Sequence, residues 1–258
     1  MVLDVVLSIK KYNMILIKRI LAAIIILTIS GVAVAKPHSS VKANFSEVVD
    51  RHLSGFHAVD VAGSFDVYIS QGSTESVKVE APADIINRII TEVDGGVLRI
   101  YNKHDTFNWG DLWGHHKKII VYVVAKNLNS ISLTGSGDAF FKDGISANAL
   151  RLNISGSGDM TGRVDAKNLD CSISGSGDMK LSGRAETAGV NLVGSGDFTA
   201  RSLLTVNCAV RVSGSGDAQV NASERIDASV SGSGDVRYTG AAKMVNSRKS
   251  GSGDISRF

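Results

Sequence analysis

The sequence predicts an all-β fold, a right-handed parallel β-helix (β-solenoid) with coils of about 19 residues. Three observations lead there. The tetrapeptide G-S-G-D occurs seven times, with its Asp at 138, 159, 178, 197, 217, 235 and 254, at intervals of 21, 19, 19, 20, 18 and 19 residues. Ahead of these corners apolar and polar residues alternate, as in Leu150, Leu152 and Ile154, then Leu169, Cys171 and Ile173, then Ile226, Ala228 and Val230. No segment of the repeat has helical periodicity. A near-constant period marks a repeat array, and alternation of period two marks strands. A 19-residue unit of strands buries its apolar face only by stacking coil on coil, at about 4.8 Å per step. Propeller blades need roughly 40 residues and up-and-down barrels need antiparallel hairpins, so neither suits this period.

Taken in chain order, Lys10, Lys11, Lys18 and Arg19 precede an apolar run over 20–32 and the triplet Ala33, Val34, Ala35. This is the pattern of a secretory signal peptide. The run is shorter than the roughly 20 residues a membrane span requires, so residues 1–35 are expected to be removed and to leave no stable membrane anchor. Met14 is an alternative start to Met1. Without 1–35 the chain holds 24 Lys and Arg against 24 Asp and Glu, which gives no electrostatic footprint for nucleic acid.

Residues 36–54 read as a linker and 55–258 as the solenoid, regular from 129. A degenerate corner, Gly63-Ser64-Phe65-Asp66, is flanked by Val59, Val61, Val67 and Ile69 in the repeat register, and is expected to form the first coil. Strand-like pieces follow at 77–79, 98–100 and 119–124, with a helical turn or two over 84–92. In the last unit Ser247 and Lys249 stand where earlier units have apolar residues, as a terminal cap requires.

The corner glycines supply positive φ and close coil-to-coil approach, and the Asp side chains accept hydrogen bonds from backbone amides. Asp66, Asp138, Asp159, Asp178, Asp197, Asp217, Asp235 and Asp254 therefore read as a structural turn column. Stacked carboxylates also suit calcium, but the G-G-x-G-x-D word of calcium-binding rolls is absent. Repulsion between neighbours in water is under about 1 kcal/mol, and Arg151, Arg211, Arg237 and Arg248 are expected to offset it. Cys171 and Cys208 fall in different inward columns two coils apart, roughly 9–10 Å, beyond disulfide reach.

No nucleophile elbow, H-E-x-x-H, phosphate loop or dinucleotide fingerprint occurs, and Asp165, Asp170, Glu186, Glu224 and Asp227 are scattered. The expectation is no enzyme and no cofactor. A polysaccharide-active enzyme built on a β-helix and a calcium-binding repeat protein stay open as alternatives.

The largest departure from regularity is 101–118, Y-N-K-H-D-T-F-N-W-G-D-L-W-G-H-H-K-K, which holds both tryptophans and three of the six histidines. Its glycines mark a loop, and loops on rigid scaffolds often bind. Trp109, Trp113, His104, His115 and His116 are the candidate contact residues for a glycan or a protein. Two other readings stay open: a tryptophan lid over the solenoid's flank, and a metal held by the histidines with Asp105 or Asp111, although adjacent histidines lack a ligand spacing.

The G-S-G-D repeats, the segment F-x-x-V-x-V-x-G-S-F-D-V-Y-I at 56–69 and V-L-R-I at 97–100 resemble the head GIN domain family of auto-transporter adhesins. The resemblance covers about 55–258. It implies a β-helical fold, an extracytoplasmic setting in Gram-negative bacteria and an adhesive role, and it brings no catalytic motif. The expected protein is thus exported and non-catalytic, an adhesin or an envelope binding or scaffolding protein. It would lie in the periplasm, on the outer surface or in the medium, with a surface ligand as partner.

Overall fold

In the computed structural model, which describes residues 46–103 and 118–258, the period-two alternation becomes a wall of stacked parallel strands. Five long strands each run from one Asp corner to the next: β9 (Ala139–Gly156), β10 (Met160–Gly175), β11 (Met179–Gly194), β12 (Phe198–Gly214) and β13 (Ala218–Gly232). Each pairs in parallel with the next, β10 with β11 from Met160↔Met179 to Gly175↔Gly194. The chain is therefore a parallel β-solenoid. Between β10 and β11 the return of the coil is more regular than its sequence suggests. Asp165↔Arg184 and Asn168↔Thr187 continue the ladder there, because Val164, Ala166 and Ala185 keep an inward apolar phase and are buried.

The uneven period is absorbed in bulges. Gly162 pairs with Phe141 and Val164 with Ile145, so Lys142, Asp143 and Gly144 bulge opposite Arg163 alone, which makes the 138–159 interval the longest. Gly162 itself is required by packing, since a Cβ there would run into the Phe141 ring. Cys171 and Cys208 are buried and free. Cys171 pairs with Val190 and Cys208 with Ala188, so they occupy separate columns.

The stacking order departs from chain order. The degenerate corner joins β2 (Ala58–Gly63) to β3 (Asp66–Gln71), and this coil is not the first of the stack. β2 lies between β6 (Val97–Asn102) and β8 (Ser130–Gly135), while β3 lies between β7 (Ile120–Ala125) and the start of β9. The later coil β6–β7 thus sits beneath the earlier one, and the chain passes β2–β3 again to continue upward. Gln71 holds the crossing: its Nε2 donates to the Ser146 carbonyl at 3.0 Å and its Oε1 accepts from Ser146 N–H at 2.7 Å.

β1 (Ser46–Asp50) and the segments between β3 and β6 close the lower end. β4 (Ser76–Pro82) pairs antiparallel with β7, β1 with β4, and β5 (Ile89–Asp94) with β6. The helical reading over 84–92 reduces to a 3₁₀ turn at Ile86–Arg88 followed by β5. These antiparallel strands cover ladder edges that would otherwise template aggregation. At the other end β14 (Val236–Thr239), β15 (Met244–Gly251) and β16 (Ile255–Arg257) finish the stack. Ser247 sits on Ala228 and Lys249 on Val230, so the last inward positions are polar. Among the described residues no helix is long and apolar enough to cross a membrane.

Candidate functional site

The G-S-G-D corner is built by backbone. The first glycine has positive φ, for example 133° at Gly156 and 129° at Gly175, and its carbonyl accepts two amides from the next coil. Gly156 O takes Ser176 N–H at 2.9 Å and Gly177 N–H at 3.1 Å. A Cβ on either glycine would strike a carbonyl of the coil below. Each Asp then links to the next. Oδ1 of Asp138, Asp159, Asp178, Asp197, Asp217 and Asp235 accepts the backbone N–H of the following column member at 2.8–3.1 Å. A cation on this column would compete with those amides for the same oxygens. Among the described residues no three His, Cys, Asp or Glu side chains gather as a metal ligand set.

Asp66 aligns with the column but does not extend its ladder, because Asp138 N–H goes to the Phe65 carbonyl instead. The Asp66 carboxylate pairs with Lys118 at 2.6 Å, and this hydrogen bond, with the charge behind it, raises the Lys118 ammonium above its ordinary value. At the far end Lys249 lies 3.1 Å from Asp254 and holds its carboxyl low. The column is therefore closed by a lysine at each end. Of the four arginines expected to offset it only Arg237 approaches, 3.4 Å from Asp235. Arg151 pairs with Asp170 on the adjoining face, and Arg211 and Arg248 reach no column carboxylate, because they stand six residues before their corner Asp and the glycine turn puts that stretch on another face of the coil.

The 101–118 segment has a definite origin. Tyr101 pairs with Ala62 and Ile120 with Asp66, so β6 ends at Asn102 and β7 begins at Ile120 on either side of the register that holds the Gly63–Asp66 corner. Phe65 occupies the second-glycine position of the degenerate corner and is buried. His104, Trp109, Trp113, His115 and His116, with Asp105 and Asp111, lie outside the described residues.

Next to this corner stands a feature that the repeat pattern does not announce. Tyr122, Tyr68 and Phe140 occupy one outward column, two residues past the corner in successive coils. Tyr68 stacks on Tyr122 with ring centroids 5.7 Å apart and on Phe140 at 5.0 Å, both at 24°. Tyr68 and Tyr122 remain 36% and 38% exposed, which shows a surface platform and not core. Tyr122 Oη donates to Glu80 at 3.0 Å, and this bond raises its phenol above the ordinary value. Lys142 lies 5.9 Å from the Phe140 ring centre. A recess of about 420 Å³ runs along the column, lined by the three rings, Val124, Lys142 and Asp143. Above Phe140 the column turns polar, with Thr161 and then Lys180. The alignment to the corner Asp exposes Tyr68 and Phe140 in sequence, but Tyr122 has no corner to align by.

The family model described as "Putative auto-transporter adhesin, head GIN domain" matches residues 55–242. No curated protein matches the chain. Among solved structures, a "putative adhesin" from Bacteroides fragilis superimposes with a TM-score of 0.74 at 24% identity, covering 84% of this chain and 98% of its own. A "putative adhesin" and a "putative lipid binding protein" from Parabacteroides distasonis give 0.68 and 0.67 at 24% and 23% identity, with the same coverage. These likenesses establish the fold.

Proposed function

Because the chain belongs to the head GIN domain family, we propose that it is an exported, non-catalytic adhesin-type protein that binds a ligand at the Tyr122–Tyr68–Phe140 platform. The exposed aromatic stack supports this reading most. Three rings fixed on a β-ladder present apolar edges and hydroxyls at little entropic cost on binding, and aromatic anchors of this kind dominate binding surfaces. Ring faces inside the stack are already occupied, so the ligand engages ring edges and the flanking recess. Glycans and protein surfaces both fit such a mixed apolar and hydroxyl edge. Trp109 and Trp113 are proposed as further contacts on the strength of their sequence. Export rests on the signal pattern of 1–35 and on the family.

The test is a glycan and matrix-protein array run with the wild-type chain, Tyr68→Ala and Tyr68→Phe. Binding lost in the alanine variant and kept in the phenylalanine variant, at nearly unchanged melting, is the expected result. Binding that survives both Tyr68→Ala and Tyr122→Ala refutes the platform. Polysaccharide turnover abolished by one Asp or Glu substitution refutes the non-catalytic reading.

A further inference from the structure

We infer that a second site, on the face before the corner, binds a linear acidic polysaccharide. This does not rest on the aromatic platform, which lies past the corner. A shallow recess of about 860 Å³ follows one outward ladder through five coils, Asp170, Gly189, Ala209, Asp227 and Asn246. Four coil steps make it roughly 19 Å long, and the small residues Gly189 and Ala209 form its floor.

The charges along it divide into two kinds. Arg225 binds Asp227 with two hydrogen bonds, 2.6 and 3.0 Å, and Asn246 adds a third at 2.7 Å. Arg151 pairs with Asp170 at 3.3 Å. These pairs neutralise each other. Arg211 and Arg248 remain, in one ladder with Ser229 between them. Both are exposed, and neither hydrogen-bonds or ion-pairs with a described residue, although the charge of Arg248 helps hold the Asp227 carboxyl low. The face therefore carries two uncommitted guanidiniums about 9.6 Å apart, with Asn191 and Ser229 offering neutral hydrogen-bonding groups alongside.

Guanidinium binds carboxylate or sulfate through two parallel hydrogen bonds. Two such groups along a narrow trough fit an extended chain with anionic groups on alternate sugars, whose hydroxyls meet the amide and serine lining. A flat anionic membrane fits poorly, since the carboxylates of Asp170 and Asp227 sit on the same face and attraction to such a surface grows with the number of clustered cations.

The experiment is calorimetric titration of the purified chain with an oligogalacturonate, its neutral methyl ester and a sulfated galactan oligomer, at low and moderate salt. The acidic sugars are expected to bind and the ester to bind at least about tenfold more weakly, with affinity falling as salt rises. Arg211→Gln with Arg248→Gln is expected to lower affinity about tenfold or more, while Arg163→Gln and Arg184→Gln, exposed and outside the recess, change it less than about threefold. All four positions are exposed, and circular dichroism checks that each variant is folded. Equal binding by the double variant, equal binding of the ester, or no binding of either acidic oligomer overturns the inference. So does arginine-dependent binding confined to phosphatidylcholine vesicles doped with phosphatidylglycerol.

Discussion

Oδ1 of Asp159 accepts the backbone N–H of Asp178, one coil further along, at 2.9 Å. A side chain thereby supplies the hydrogen bond that the tight corner withholds from the sheet ladder, and the same link recurs from Asp138 to Asp254. An amide oxygen accepts as a carboxylate does, so Asp178→Asn is expected to cost little. Asp178→Ala orphans the Asp197 N–H and should cost about 1 kcal/mol in urea denaturation. Since the amides hold the Oδ1 atoms, added calcium or a chelator should leave the melting temperature unchanged. A calcium-dependent rise in melting would instead identify the column as an ion site.

Glycines in this fold are not equivalent, and a pair of alanine substitutions separates them. A Cβ on Gly196 would collide with the Gly177 carbonyl of the coil below, whereas one on Gly189 meets nothing nearer than Asp170 Oδ1 at 3.6 Å. Gly196→Ala is expected to cost about 2–3 kcal/mol or to prevent folding. Gly189→Ala should be neutral or slightly stabilising, because its backbone needs no special φ. Equal effects on thermal unfolding would contradict the close-approach account.

Burial pushes the Cys208 thiol up to about 12 and raises that of Cys171 well above its ordinary value. Iodoacetamide at pH 8 should therefore label neither in the native protein and both in denaturant. The folded state retains these protons longer than the unfolded one, so stability is complete below the unfolded thiol pKa. It falls from about pH 9 toward pH 12 by up to about 1.4 kcal/mol per pH unit and thiol. Cys171→Ala with Cys208→Ala should flatten that alkaline slope in equilibrium unfolding.

Replacing Trp109 and Trp113 together by alanine distinguishes two roles for the irregular 101–118 segment. As ligand contacts they should leave thermal melting unchanged while binding on the array weakens at least about tenfold. A clear loss of thermal stability would mark them as a lid over the flank. Normal melting with undiminished binding would remove both roles.

Sequence alone determined the repeat, its register and the inward and outward phase of each strand, because a β-coil's period and alternation are local properties of the chain. Counting back from each corner Asp assigns Leu152, Cys171, Val190, Val210 and Ala228 to one inward column, and all five are buried. The corner glycines and their aspartates were equally legible. Tertiary structure decided which coil lies on which. Strand pairing is set by long-range contacts, and nothing local in 97–102 or 120–125 says that these strands lie beneath 58–71. That inverted order places Tyr122 under Tyr68 and Lys118 beside Asp66. It also separated the arginines, since Arg151, Arg211 and Arg248 precede the corner, and the turn there puts them on a different face from the Asp column. Arg211 and Arg248 are left there without partners among the described residues, with a serine stacked between them.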